Sequence, residues 1–190
     1  MSDLELKNIE LYKEHYLFEH DRRNFYDRLI QYPTTLLVIF IGSSFYSLNK
    51  FLESGSLHLC SNSDWIFIST FGLFSLSTII TIYFLGIMFH GSTREYKYLP
   101  FTGELEKHEK SLYKYYYKYS EKKTFEERRA EAKKLTCVKF SQDLKKYYIK
   151  DAEINQRIND KRADSYYLTR TFLFIDLILL IILSTIGYLF

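Results

Sequence analysis

Glycine, proline and cysteine are scarce in this chain, with seven, two and two among 190 residues. Two cysteines exclude a disulfide-stapled scaffold. So little glycine and proline leaves few tight turns, which argues against a strand-rich fold. From Glu104 to Ile186 there is neither glycine nor proline, and the stretch is dense in Lys, Glu, Leu and Ala, so helix is the expected state. Catalytic signatures are missing too. No Walker loop, GxGxxG, GxSxG or HExxH occurs, and neither an enzyme nor a cofactor is expected. Gly42–Ser43–Ser44 lies in an apolar stretch and cannot cradle a phosphate there. His15, Glu19 and His20 fall within two helical turns, but no Cys or second ligand pair joins them, so no metal site is expected.

Charge is absent over long stretches. Twelve charged residues lie in 1–32 and 33 lie in 92–170, which leaves only Lys50, Glu53, Asp64 and Asp176 elsewhere. A mean hydropathy of −0.20 therefore conceals strong segregation, and a single soluble globule is excluded. Aromatic residues make up 18% of the chain, which argues against disorder.

Three apolar segments stand out: 33–52, 65–89 and 171–190. A spanning helix needs about 20 mainly apolar residues to cross roughly 30 Å of hydrocarbon. The second segment has no charge. The third carries only Asp176, and the first is diluted by Thr34, Thr35, Ser43, Ser44 and Ser47. The first does not read as a signal peptide, because twelve charges of both signs precede it and no small-residue cleavage pattern follows.

Lys and Arg in the flanks set orientation. Arg22, Arg23 and Arg28 precede the first span, Arg94 and Lys97 follow the second, and Lys161, Arg162 and Arg170 precede the third. Only Lys50 lies between the first two spans. All three clusters share one side if the N-terminus is cytoplasmic. The expected topology has loop 53–64 and the C-terminus outside. Cys60 and Cys137 then lie on opposite sides and cannot pair. Trp65 fits an interfacial anchor.

The expected fold class is all-α. Residues 1–32 form an N-terminal cytoplasmic amphipathic helix, with Leu4, Leu11, Phe18, Phe25 and Tyr32 as a heptad seam. Pro33 suits the first turn of a new helix and predicts a kink there. Residues 33–90 form the transmembrane pair. Gly91, Pro100 and Gly103 mark a connector. Residues 91–170 form a cytoplasmic hairpin of helices 104–135 and 138–170, with the reversal near Leu135–Val138. Residues 171–190 form the last span. The stripe Phe140, Leu144, Tyr147, Asp151, Ile154, Ile158, Lys161, Ser165 and Leu168 predicts a packed face running without a break into that span.

Asp176 is the sharpest single residue. An ionisable group inside a span costs about 2.5–3.5 kcal/mol at mid-bilayer, so it seeks a polar partner or a wet path. Pairing with Arg170 is the plainer alternative. In the second span Gly72, Ser75, Ile79 and Gly86 share roughly one face, which suits either oligomer assembly or packing of the three spans. Gly42, Ser43 and Ser47 serve similarly in the first. The tract Tyr113–Tyr119 alternates aromatic and basic residues. Tyr115 and Tyr116 with Lys114 and Lys118 are candidates for a partner surface, for single-stranded nucleic acid or, more simply, for an acidic partner or anionic lipid. Residues 91–170 carry an excess of seven positive charges and 1–32 an excess of two negative, which favours docking of the first on the second.

The layout resembles the SLATT-type small transmembrane effectors of bacterial antiphage defence. The resemblance rests on His20–Asp21–Arg22–Arg23–Asn24–Phe25–Tyr26, on the closely spaced pair 33–52 and 65–89, and on Ile158–Tyr167. The third span is an addition to that two-span pattern. Such effectors are encoded beside nucleotide-signalling or reverse-transcriptase (retron) modules. The resemblance implies a toxin-like membrane effector that homo-oligomerises, forms pores or otherwise damages the inner membrane, and stops growth. It implies a cytoplasmic protein partner such as a reverse transcriptase–nucleic acid complex. The rival reading is a non-catalytic accessory subunit of a larger membrane complex.

Overall fold

The structure is a computed structural model. It describes residues 3–53, 62–93, 96–122 and 124–189, with side chains described for 9–53, 64–90, 96–122 and 124–187. Five helices make up the described residues: α1 (Asp3–Leu29), α2 (Gln31–Glu53), α3 (Asn62–Thr93), α4 (Thr102–Tyr119) and α5 (Phe125–Leu189). Among the described residues there is no strand. Most of the expected loop 53–64, with Cys60, lies outside the described residues.

The chain forms two compact units. Met1–Arg22 with Glu95–Ile158 make a polar unit, and Arg23–Arg94 with Asn159–Phe190 make an apolar one. Both α1 and α5 contribute to each.

Among the described residues three helices are long and apolar enough to cross a membrane, and they contain the expected segments 33–52 and 65–89 and residues 171–187 of the third. The apolar unit is inside-out by the standards of a soluble protein. Val38, Ile39, Leu73, Ile79, Phe174 and Ile181 are all more than half exposed, whereas Ser47, Ser77, Thr81, Thr169 and Asp176 are buried. Each large apolar side chain left in water forgoes about 1.5–3 kcal/mol, so a surface of this kind needs lipid around it. The core between α2, α3 and α5 is built from Leu37, Phe40, Phe51, Phe67, Phe74, Leu173, Leu180 and Leu183. Phe51 and Phe67 stack at 4.0 Å between α2 and α3.

The kink expected before Pro33 is a one-residue interruption at Ile30. Pro33 has no N–H to give the carbonyl of Leu29, and α2 restarts around it. The expected connector is shorter than 91–103. Helix α3 continues through Gly91 to Thr93, and Gly103 lies in the first turn of α4, where a glycine is cheap. Residues 96–101 form a non-helical strap that carries Pro100.

The expected reversal at Leu135–Val138 is overturned. These residues are helical; α4 ends at Tyr119 and α5 begins at Phe125. Their β-branching costs only tenths of a kcal/mol, too little to end a helix. Thr124 does start one. Its Oγ1 accepts the N–H of Glu127 at 3.3 Å, and its carbonyl accepts the N–H of Arg128 at 3.1 Å. Thr124–Phe125–Glu126–Glu127 matches the capping-box sequence, with two acids in the first turn. The hairpin is therefore α4 against the first third of α5. Ser120 bonds Glu131, and His108 Nε2 lies 3.1 Å from Asp143, which sets the two helices antiparallel.

The heptad seam of α1 is also overturned. Leu11, Phe18, Phe25 and Tyr32 are each more than half exposed. The buried face instead carries Tyr16, Glu19 and Tyr26. Tyrosine suits that face because its phenol reaches polar partners while its ring packs.

Candidate functional site

Helix α5 buries a face that is polar at almost every turn. In the apolar unit Asn159, Arg162, Ser165, Thr169 and Asp176 are at most 5% exposed and follow one another at three, four or seven residues. The expected stripe ran beside this face. It contained Ser165, Asp151 and Ile158, but Lys161 is exposed and Tyr147 is 40% exposed. Counting apolar residues missed the buried line because its members are Asn, Arg, Thr and Asp.

At one end of the line, Arg162 Nη2 donates to Asp27 Oδ1 at 2.7 Å, and its guanidinium lies 5.6 Å from the Tyr26 ring centre. Arg23 approaches the other oxygen of Asp27 at 3.7 Å. Two cations thus share one carboxylate. A buried guanidinium deprived of that partner would cost several kcal/mol.

Deeper in the span, Asp176 is fully buried against α3, and Thr81 Oγ1 lies 3.2 Å from its Oδ2. The same Thr81 hydroxyl lies 3.0 Å from the carbonyl oxygen of Ser77. Asp176 has therefore found a partner inside its own chain, and that partner is Thr81, not Arg170. Arg170 lies over the Tyr166 ring instead, 5.8 Å away. Further along, Ser47 and Ser184 approach at 3.2 Å between α2 and α5. A Cβ at Gly187 would stand 3.3 Å from the Ser47 carbonyl oxygen, so this glycine allows the close approach.

The small-residue face of α3 is largely open among the described residues. Gly72, Gly86 and Ile79 are exposed, and Ser75 Oγ donates to the Phe71 carbonyl of its own helix at 2.8 Å. Of the span-one set, Gly42 is exposed and Ser47 makes the contact just described.

In the polar unit the strap 96–101 is held from two sides. Asn155 Oδ1 accepts the N–H of Lys97 at 2.8 Å, and Asn155 Nδ2 donates to its carbonyl at 3.0 Å. The N–H of Leu99 donates to the Tyr16 hydroxyl at 3.4 Å. Tyr16 packs on Tyr148 at 5.7 Å, and burial pushes its phenol above the ordinary value. His20 packs edge-on to Tyr98, and Glu19 pairs with Arg22 at 3.1 Å. The N-terminal helix is thus docked in this unit through rings, with Lys145 over Tyr12 at 4.9 Å. Burial also raises the Asp151 carboxyl, against the pull of Lys150 and Lys97. Asp143 goes the other way. Burial opposes its charge, yet hydrogen bonds with His108 and Lys139 prevail and hold the carboxyl low.

Along α4 the candidate tyrosines differ in burial. Tyr115 and Tyr119 are more than half exposed, and Tyr113, Tyr116 and Tyr117 are half-buried. Tyr115 packs on Tyr119 at 4.9 Å, and Lys118 lies over the Tyr119 ring at 5.4 Å. Lys114 alone of the four candidates lines a groove between α4 and α5. Among the described residues no cluster of His, Cys, Asp and Glu could hold a metal ion.

Compared with family models, with curated proteins and with solved structures, the chain matches none.

Proposed function

We propose that the chain is a non-catalytic, membrane-embedded effector. A signal received by the cytoplasmic helices rearranges or oligomerises the spans and breaches the bacterial inner membrane, as in antiphage growth arrest. One observation carries the reading. Helix α5 runs unbroken from Phe125 to Leu189, so the helix that bears the polar groove also bears Asp176. A partner that favours one setting of α5 over another biases the span directly. In the resting setting Asp176 is sheathed by Thr81. Movement of α5 would bare one carboxylate per chain, and a symmetric ring of them would favour cations. The exposed glycines Gly72 and Gly86, with half-buried Ser75 beside them, offer α3 as the surface for assembly.

The test is membrane potential in cells expressing the protein with its activating partner system. Asp176→Asn is expected to weaken depolarisation and Asp176→Leu to abolish it, with both variants still inserted. Depolarisation by Asp176→Leu equal to the parent would refute the pore. A second reading, an accessory subunit of a larger membrane complex, is favoured by the exposed stripe Leu11, Phe18, Phe25, which asks for a cover. It predicts loss of assembly in such variants and no depolarisation at any stage.

A further inference from the structure

The polar unit contains a groove of about 610 Å³ between α4 and α5. Six side chains define its chemistry. Lys114 and Tyr113 come from α4, Arg129, Lys133 and Thr136 from α5, and Glu109 stands at the α4 side. Lys110 also reaches the groove but is already paired with Glu106. Lys114, Arg129 and Lys133 make no ion pair among the described residues. Three uncommitted cations against one free carboxylate leave the groove electropositive.

Thr136 adds a separate observation. Its side chain is only 4% exposed and lines the groove, and its hydroxyl has no hydrogen-bond partner among the described residues. A buried hydroxyl without a partner is destabilising unless something supplies one. A threonine inside a helix ordinarily satisfies itself on the carbonyl four residues back. Thr171 and Thr185 do so here, at 3.1 and 2.8 Å. Thr136 does not.

We infer that this groove binds a small phosphate-bearing anion, with Lys114, Arg129 and Lys133 on the phosphates and Thr136 donating its hydroxyl to one of their oxygens. Oxygen-rich, multiply charged phosphates match three cations that hold no other charge, and arginine presents a fork that suits them. The half-buried Tyr113 ring in the same groove provides an aromatic face, so a nucleoside polyphosphate fits better than a bare one. A divalent metal alone is excluded by the sign of the site. The inference does not depend on membrane disruption, because binding is read within the polar unit.

Cys137 supplies the reporter. It is an exposed free thiol on the rim of the same groove. The full-length chain carrying Cys60→Ser, purified in detergent, is alkylated with a maleimide in the presence of millimolar ATP, tripolyphosphate, inorganic phosphate or adenosine. ATP and tripolyphosphate are expected to slow labelling of Cys137, adenosine is not, and added salt should weaken the protection. ATP protecting at lower concentration than tripolyphosphate assigns a role to the nucleoside, and Tyr113→Leu should then erase the difference. Equal protection assigns recognition to the phosphates alone. Arg129→Gln with Lys133→Gln should raise the concentration needed by about tenfold or more, with helicity by circular dichroism unchanged. No protection by any polyphosphate at low salt overturns the inference. So does protection that survives the double substitution.

Discussion

Asn155 is the residue on which the strap of the polar unit depends. It satisfies both backbone groups of Lys97 and is 1% exposed. Asn155→Ala would strand a donor and an acceptor, each worth about 1–3 kcal/mol when buried. The expected loss is about 2–4 kcal/mol, read as earlier thermal loss of helix signal in detergent and faster proteolysis at 96–101. A change within 0.5 kcal/mol, the ordinary surface range of roughly that size, would remove Asn155 from this role. Asp151 gives a prediction in pH. Its carboxyl lies above the ordinary value of 3.8 in the folded chain because burial opposes its charge. The folded state therefore holds that proton more tightly than the unfolded state does. Its contribution is fully present below the ordinary carboxylate value and is lost as pH rises through the raised folded value. Asp143, held low, contributes with the opposite slope. Asp151→Asn should flatten the decline as pH rises through the raised value and raise stability at pH 7 by on the order of 1 kcal/mol. Unfolding of parent and variant across pH 4 to 8 checks this, and parallel curves would contradict it.

Among the elements, α2, α3 and the end of α5 were legible in the sequence because lipid imposes a composition rule that needs no partner: about 20 apolar residues in a row. The hairpin reversal was not read correctly, although Thr124–Phe125–Glu126–Glu127 stated it as a capping box. Weak helix formers such as Thr136 and Val138 carry far less weight than such a start signal. The seam of α1 misled for a different reason. A seven-residue apolar repeat marks a surface that can pack, and among the described residues Leu11, Phe18, Phe25 and Tyr32 stay more than half exposed. The polar face of α5 escaped because periodicity was sought in apolar residues, while Asn155, Asn159, Arg162, Thr169 and Asp176 carry the burial. Of the candidate site, Asp176 and Lys114 could be picked from sequence; Thr81, Thr136 and Asp27 needed the fold to bring them near. Gly187 tests the packing of α2 on α5. Gly187→Leu places bulk where a Cβ already meets the Ser47 carbonyl oxygen at 3.3 Å. Short-arm cross-linking between Ser47→Cys and Ser184→Cys should be efficient in the parent background and fall severalfold with Gly187→Leu. Unchanged cross-linking would show that the approach is not close.

For the molecule as a whole, the segregation of charge is the governing fact. One unit buries polar groups and presents Ile, Leu, Val and Phe outward, and the other carries most of the charge. The first is built for lipid and the second for water, and α5 is common to both. The proposed membrane function depends on the three helices crossing the bilayer with the polar unit in the cytoplasm. The native thiol Cys137 measures this directly. In intact cells expressing the Cys60→Ser chain, a membrane-impermeant maleimide should leave Cys137 unlabelled, and permeabilisation should expose it. In the same assay Ser56→Cys, placed in a Cys60→Ser, Cys137→Ser background, should label without permeabilisation. Labelling of Cys137 in intact cells, or protection of Ser56→Cys there, would contradict the account.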